Sequence, residues 1–119
     1  MEQADFADFN ARLLGEVPAL RAVYEEHVQD NDGVLEIVLM DQYSRFVVEH
    51  AAASEAENEL FGSFVRVLEK ELARGGEDLA VLVGTTFCET VDSYWQQPQF
   101  HRWMLARMGP RTRKRLTVR

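Results

Sequence analysis

Apolar residues in this chain recur at three- and four-residue steps almost from end to end, the period of α-helices that each bury one face. Phe6, Phe9 and Leu13 carry a first helix that fades at Gly15. Pro18 suits the first turn of a second, where its missing N–H has no intrahelical partner, and Leu20, Val23, Tyr24, His27 and Val28 make the inner face. A third helix is expected from about Gly33 to Ala53. Leu35, Leu39, Tyr43 and Phe46 form its main stripe, and Val34, Ile37, Val38, Met40 and Val47 widen that stripe until the helix reads as central and largely buried. Only Asp41, Arg45 and Glu49, at four-residue steps, mark a wet strip, with signs that suit weak local pairing.

Ser54, with Glu57 three positions on, fits a capping box opening a fourth helix. Its inner face is Leu60, Phe61, Phe64, Val65, Leu68 and Leu72, and Gly75-Gly76 ends it. The fifth segment, EDLAVLVGTTFCETV, has the β-branched content and the glycine, Gly84, to tolerate a strand. Leu79, Leu82, Val83, Phe87 and Val91 nevertheless keep helical spacing, and Glu77 and Asp78 suit the positive end of a helix dipole, so it reads as helix. A sixth helix begins at Pro98, buries Phe100, Trp103 and Met104, and stops at Gly109-Pro110. The residues beyond are expected to fray. The prediction is an all-α single domain over residues 1–109, about six antiparallel helices in a bundle or stacked hairpins, followed by a basic tail at 110–119. With 119 residues, 46% of them apolar, the chain has material for one packed core.

A single cysteine, Cys88, rules out an internal disulfide and fits a reducing compartment. The opening MEQADFADFN lacks the basic-then-apolar order of a secretory signal. The longest apolar run, VLEIVLM, is far short of the ~20 residues a membrane helix needs and carries Glu36 inside it. The expected location is cytoplasmic, with no membrane partner.

Charge is segregated. The first 92 positions hold all 20 acidic residues against six basic ones, net −14, and the last 27 hold seven basic residues and no acid. Dense acid on the body repels phosphates, which argues against nucleic acid binding there. The basic run RMGPRTRKRLTVR either docks on that body or offers a second surface.

The stretch HVQDNDGVLEIVLMDQYSRF concentrates the question of function. An EF-hand loop counted from Asp30 would need glycine at its sixth place and a bidentate glutamate at its twelfth. Those places hold Leu35 and Asp41, and the glycine, Gly33, comes two residues early, so the calcium reading fails. A corner between helices explains more: Asn31 tolerates the left-handed turn that closes one helix, and Asp32 can cap the next. Glu25, Glu26, Asp30 and Asp41 are left over, and they are the candidate partner-binding residues of an acidic rim.

YEEHVQDNDGVLEIVLMDQYSRFVVE, with the later FCETV and MLARMGPRTRKRL, resembles a family of small, uncharacterised bacterial all-helical proteins. In these an acidic DN corner precedes VL, a further M-D and an aromatic near the helix end. Ile37 stands where that family's third helix is expected to carry histidine, so no role for an imidazole there transfers. The resemblance implies an all-helical domain. By analogy of size, acidity and fold, it suggests an immunity or antitoxin-like partner.

Elements of catalysis are sparse. His27 falls on an inner stripe, and His50 and His101 lack partners at ligand spacing. A Cys88–His101 pair could activate a thiolate, but a cysteine on an apolar helix face is usually inert packing. Gly75-Gly76 lacks the lysine and serine of a phosphate loop. Glu25 and Glu26, adjacent on a helix, point apart, and no Glu-x-x-His pair exists for a carboxylate-bridged iron centre. The expected function is therefore a non-enzymatic protein-binding module without cofactor or metal, its acidic surface meeting a basic protein partner. The alternative is a small nucleic-acid-associated regulator acting through the basic tail.

Overall fold

The computed structural model describes residues 3–53, 59–74 and 76–117, and all of their regular structure is helical. In chain order these are α1 (Gln3–Glu16), a 3-10 turn (Pro18–Leu20), α2 (Arg21–Asn31), α3 (Glu36–Ala53), α4 (Glu59–Ala73), α5 (Glu77–Asp92), α6 (Pro98–Arg107) and α7 (Pro110–Thr117). The expected all-α single domain is what forms, with a seventh helix. Ser54, Glu57 and Gly75, read as helix punctuation, lie outside the described residues; Gly76 stands as the N-cap of α5.

The core follows from the helical stripes. α3 and α5 share the most extensive contact, α1 lies against α4, and α7 rests on α4 and α5 together. Phe61 and Phe64 of α4 close on Phe87 of α5 with ring centroids 5.8 and 5.3 Å apart, and Trp103 of α6 completes the cluster 5.2 Å from Phe61. Each such buried side chain contributes on the order of 1.5–3 kcal/mol, and tilted rings add to it. α5, the segment that could have been strand, is helical throughout because α3 and α4 cover its Leu79, Val83, Phe87 and Val91 face.

Polar fastenings fix both ends of the chain to α4. Glu71, buried, receives Nη2 of Arg12 from α1 on both oxygens at 3.1 and 2.9 Å, with Arg74 Nε 3.5 Å away. Glu69 accepts the Arg111 N–H at 2.7 Å and the Thr112 N–H at 3.1 Å, so a carboxylate from α4 satisfies the orphan donors at the N-terminus of α7. Pro110–Thr117, expected to fray, therefore form a helix held on α4. Thr112 is fully buried, and its carbonyl accepts the Cys88 S–H at 3.4 Å. A Cβ on Gly109 would stand 2.5 Å from Glu69 Cδ, so only glycine lets the carboxylate approach this closely.

α3 departs from expectation in one respect. It begins at Glu36 and is not wrapped by neighbours around its start, where Val34, Leu35, Ile37 and Val38 are exposed, Ile37 by 69%, and Phe46 further along is exposed as well. The inner face is narrower, made of Leu39, Met40, Tyr43, Val47 and Val48. Sequence periodicity cannot distinguish an apolar residue that is covered from one that is not.

Replacing Glu69 with alanine should cost about 1–3 kcal/mol and speed hydrogen exchange at the Arg111 and Thr112 amides before the rest of the core. Unchanged exchange there would show that α7 is held by packing alone. A second prediction concerns Tyr43, whose hydroxyl donates to Asn10 Oδ1 at 2.5 Å inside the core. Burial raises its phenol well above the ordinary range, and the neighbouring Tyr24 adds to the shift. The unfolded chain ionises this phenol near pH ~10 whereas the fold resists it, so the contribution is intact below that pH and is lost as pH rises. Chemical denaturation above pH ~10 should show stability falling by up to ~1.4 kcal/mol per pH unit from this group. Tyr43→Phe should flatten that fall.

Candidate functional site

The α2–α3 corner is built on two consecutive backbone reversals. Asp32 takes the left-handed conformation, φ 52°, and its N–H returns to the Val28 carbonyl; Gly33 follows at φ 140°. Asn31, expected to make that turn, stays helical and instead donates its side-chain amide to the His27 carbonyl at 2.9 Å. Asp32, expected to cap α3, closes α2. Both residue types tolerate left-handed backbone, so residue type alone does not place the turn.

The entry to α3 is held by a histidine. His27 is 1% exposed; its Nε2 accepts the Leu35 N–H at 3.0 Å, and its Nδ1–H donates to Gln42 Oε1 at 2.8 Å. The Leu35 carbonyl in turn takes the Leu39 N–H at 2.8 Å. One neutral imidazole thus joins the last turns of α2, the residue before α3 and the second turn of α3. With Leu35 pinned there, the side chains of Val34, Leu35, Ile37 and Val38 form an apolar apex in solvent.

The carboxylates line grooves further along α2 and α3. Glu26 and Asp30, one turn apart on α2, line a groove of about 280 Å³ facing Gln42, Arg45, Phe46 and Glu49 of α3. Asp41 lies across the Arg45 side chain, paired with its Nε at 3.0 Å, and lines an adjoining groove of about 420 Å³ with Glu49 and Glu89. Arg45 and Glu49 border both grooves. Glu25 is exposed but lines neither. The structure therefore brings Glu26 and Asp30 together, sets Asp41 next to them through Arg45, and leaves Glu25 aside.

Two parts of this surface, Glu89 and the apex, escaped the sequence reading. Glu49 was visible as one step of the wet strip. Glu89 comes from α5 and joins only through the α3–α5 packing. The apex was read as core. Elsewhere, His101 Nε2 lies 3.3 Å from Asp92 while Cys88 faces Thr112. Among the described residues no group of three or more His, Cys, Asp or Glu is arranged to hold a metal ion, and no helix is long and apolar enough to cross a membrane.

His27→Ala should destabilise the fold by roughly 2–4 kcal/mol, because it opens a cavity and removes the partner of the Leu35 N–H. The amides of residues 33–36 should lose protection first in hydrogen exchange. Wild-type stability in that variant would remove the imidazole from this role.

No curated protein and no solved structure matches the chain. A family model described as a domain of unknown function (DUF7674) matches residues 10–117, from within α1 to the end of α7, and the chain belongs to that family.

Proposed function

We propose that this domain is a protein-binding module whose contact surface is the apex of the α2–α3 corner and the acidic grooves beside it. One observation carries the reading: Val34, Leu35, Ile37 and Val38 are exposed around the start of α3, and further along that helix the exposed Phe46 sits among the carboxylates Glu26, Asp30 and Glu49, which is the arrangement of an apolar contact surface with a polar rim. The rim supports a basic partner. Glu26, Asp30, Asp41, Glu49 and Glu89 outnumber Arg45, so a basic protein is attracted and its encounter accelerated. A second copy of this chain would present the same charge and be repelled. Within that class we favour an inhibitor of the immunity or antitoxin kind, a reading supported by analogy of size, acidity and helical fold. It involves no bond-making step.

The competing reading, a regulator that holds nucleic acid through the residues after Gly109, is weakened by where their charges point. Arg111 Nη1 lies 3.7 Å from Glu69 and Arg115 Nη1 lies 3.9 Å from Glu77. Such pairing reduces the positive charge that α7 offers to phosphates.

Ile37→Lys should change stability by no more than about 0.5 kcal/mol, as surface substitutions do, yet remove the partner from a pull-down out of the native host. Glu26→Lys with Asp30→Lys should weaken capture most at low salt, since screening already reduces the attraction at high salt. Full retention by both variants, or no protein partner at any salt concentration, counts against the proposal.

A further inference from the structure

A cavity of about 530 Å³ opens away from the acidic grooves, among α1, the start of α2 and the entry to α3. Its size falls in the range of small-molecule sites. Phe6 and Leu14, both buried, give it an apolar floor, and Asn10, Arg21, Tyr24 and Glu36 supply polar groups around it.

These groups are not interchangeable decoration of a surface. Asn10 is only 8% exposed, and its Oδ1 is occupied by the Tyr43 hydroxyl, which fixes the amide and leaves its nitrogen to donate. Arg21 and Tyr24 line the same cavity as Asn10. Together they give the cavity a guanidinium, a phenol and an amide N–H. Glu36 brings a carboxylate to the same cavity. Neither Arg21 nor Glu36 has an ion-pair partner among the described residues, and the two are too far apart to pair with each other.

We propose that this cavity binds a small zwitterion with an apolar body, on the scale of an apolar dipeptide, its carboxylate held by Arg21, Tyr24 and Asn10 and its ammonium directed to Glu36. The guanidinium fork matches a carboxylate, and charge-assisted bonds are the strong ones. The apolar side chains rest on Phe6 and Leu14. A fatty acid would be opposed by Glu36, and a simple amine by Arg21. The cavity shares Val34 with the apex, but its ligand groups Asn10, Arg21, Tyr24 and Glu36 lie outside the apex, so its test is read independently of partner capture.

The test is an NMR titration of the full chain with the dipeptide Leu-Leu, with its N-acetyl form and with its C-terminal amide. Leu-Leu should give saturable shifts centred on the Ala7, Asn10, Ala11 and Tyr24 amides, and each capped form should bind about tenfold more weakly, the loss of one ionic contact. Arg21→Gln should erase the preference for a free carboxylate, and Glu36→Gln the preference for a free ammonium. Each variant should leave the spectrum of the remaining core in place. The proposal is overturned if no saturable shift develops at millimolar dipeptide, if all three compounds bind equally, or if the shifts centre elsewhere.

Discussion

Buried between α2 and α3, the His27 imidazole does the work that a capping side chain does at an ordinary helix start. It accepts the Leu35 N–H on Nε2, which needs that nitrogen unprotonated, and donates from Nδ1 to Gln42. Without it, the reversal at Asp32-Gly33 would leave an unpaired N–H inside the corner, a loss of about 1–3 kcal/mol. It also sets the phase of α3. Successive residues on a helix are separated by about 100°, so the point at which Leu35 is pinned decides which side chains turn inward. Leu39, Met40, Tyr43 and Val47 face the core; Ile37 and Val38 cannot. The apex is therefore a consequence of one imidazole and the turn that precedes it.

The other end of the molecule depends on α4. Glu69 and Glu71, two positions apart, point to different sides of that helix, one towards α7 and one towards α1. The basic C-terminal segment is folded back on the acidic body through the first, and the N-terminal helix is tied down through the second. Close approach needs small residues as well. A Cβ on Gly84 would meet the Arg115 stem at 3.1 Å, as one on Gly109 would meet Glu69. Opposite charges separated along the sequence are thus partly joined in space.

What was legible in the sequence is what local periodicity encodes. The inner faces of α4 and α5 follow directly from their spacing, and so does the Asp41–Arg45 pair at four residues. α7 was not legible, because TRKRL has no apolar stripe; its start is capped by a carboxylate some forty positions earlier, and its buried residue is a threonine. Of the four carboxylates expected to form one rim, Glu26 and Asp30 share a groove because they are one turn apart, Asp41 adjoins through Arg45, and Glu25 falls on another face. Glu89 needed tertiary packing to join them. The apex was missed for a different reason: a helix apolar over much of its circumference is normally a buried one, and nothing local says which part is left uncovered.

That uncovered part is costly by two measures. Valine and isoleucine are poorer helix formers than the straight-chain polar residues that usually occupy an exposed first turn, and their side chains gain nothing from water. Glutamate or lysine at positions 37 and 38 would serve the fold at least as well. Where a sequence breaks a local rule without structural return, contact with something else is the physical reason to look for. The surrounding carboxylates fit that reasoning, because an apolar apex alone would also attract a second copy of the chain. Like charge around it opposes that pairing while leaving a basic surface free to dock. On the proposed reading the rim has two effects from one set of residues: it admits the partner and it keeps the apex available for it.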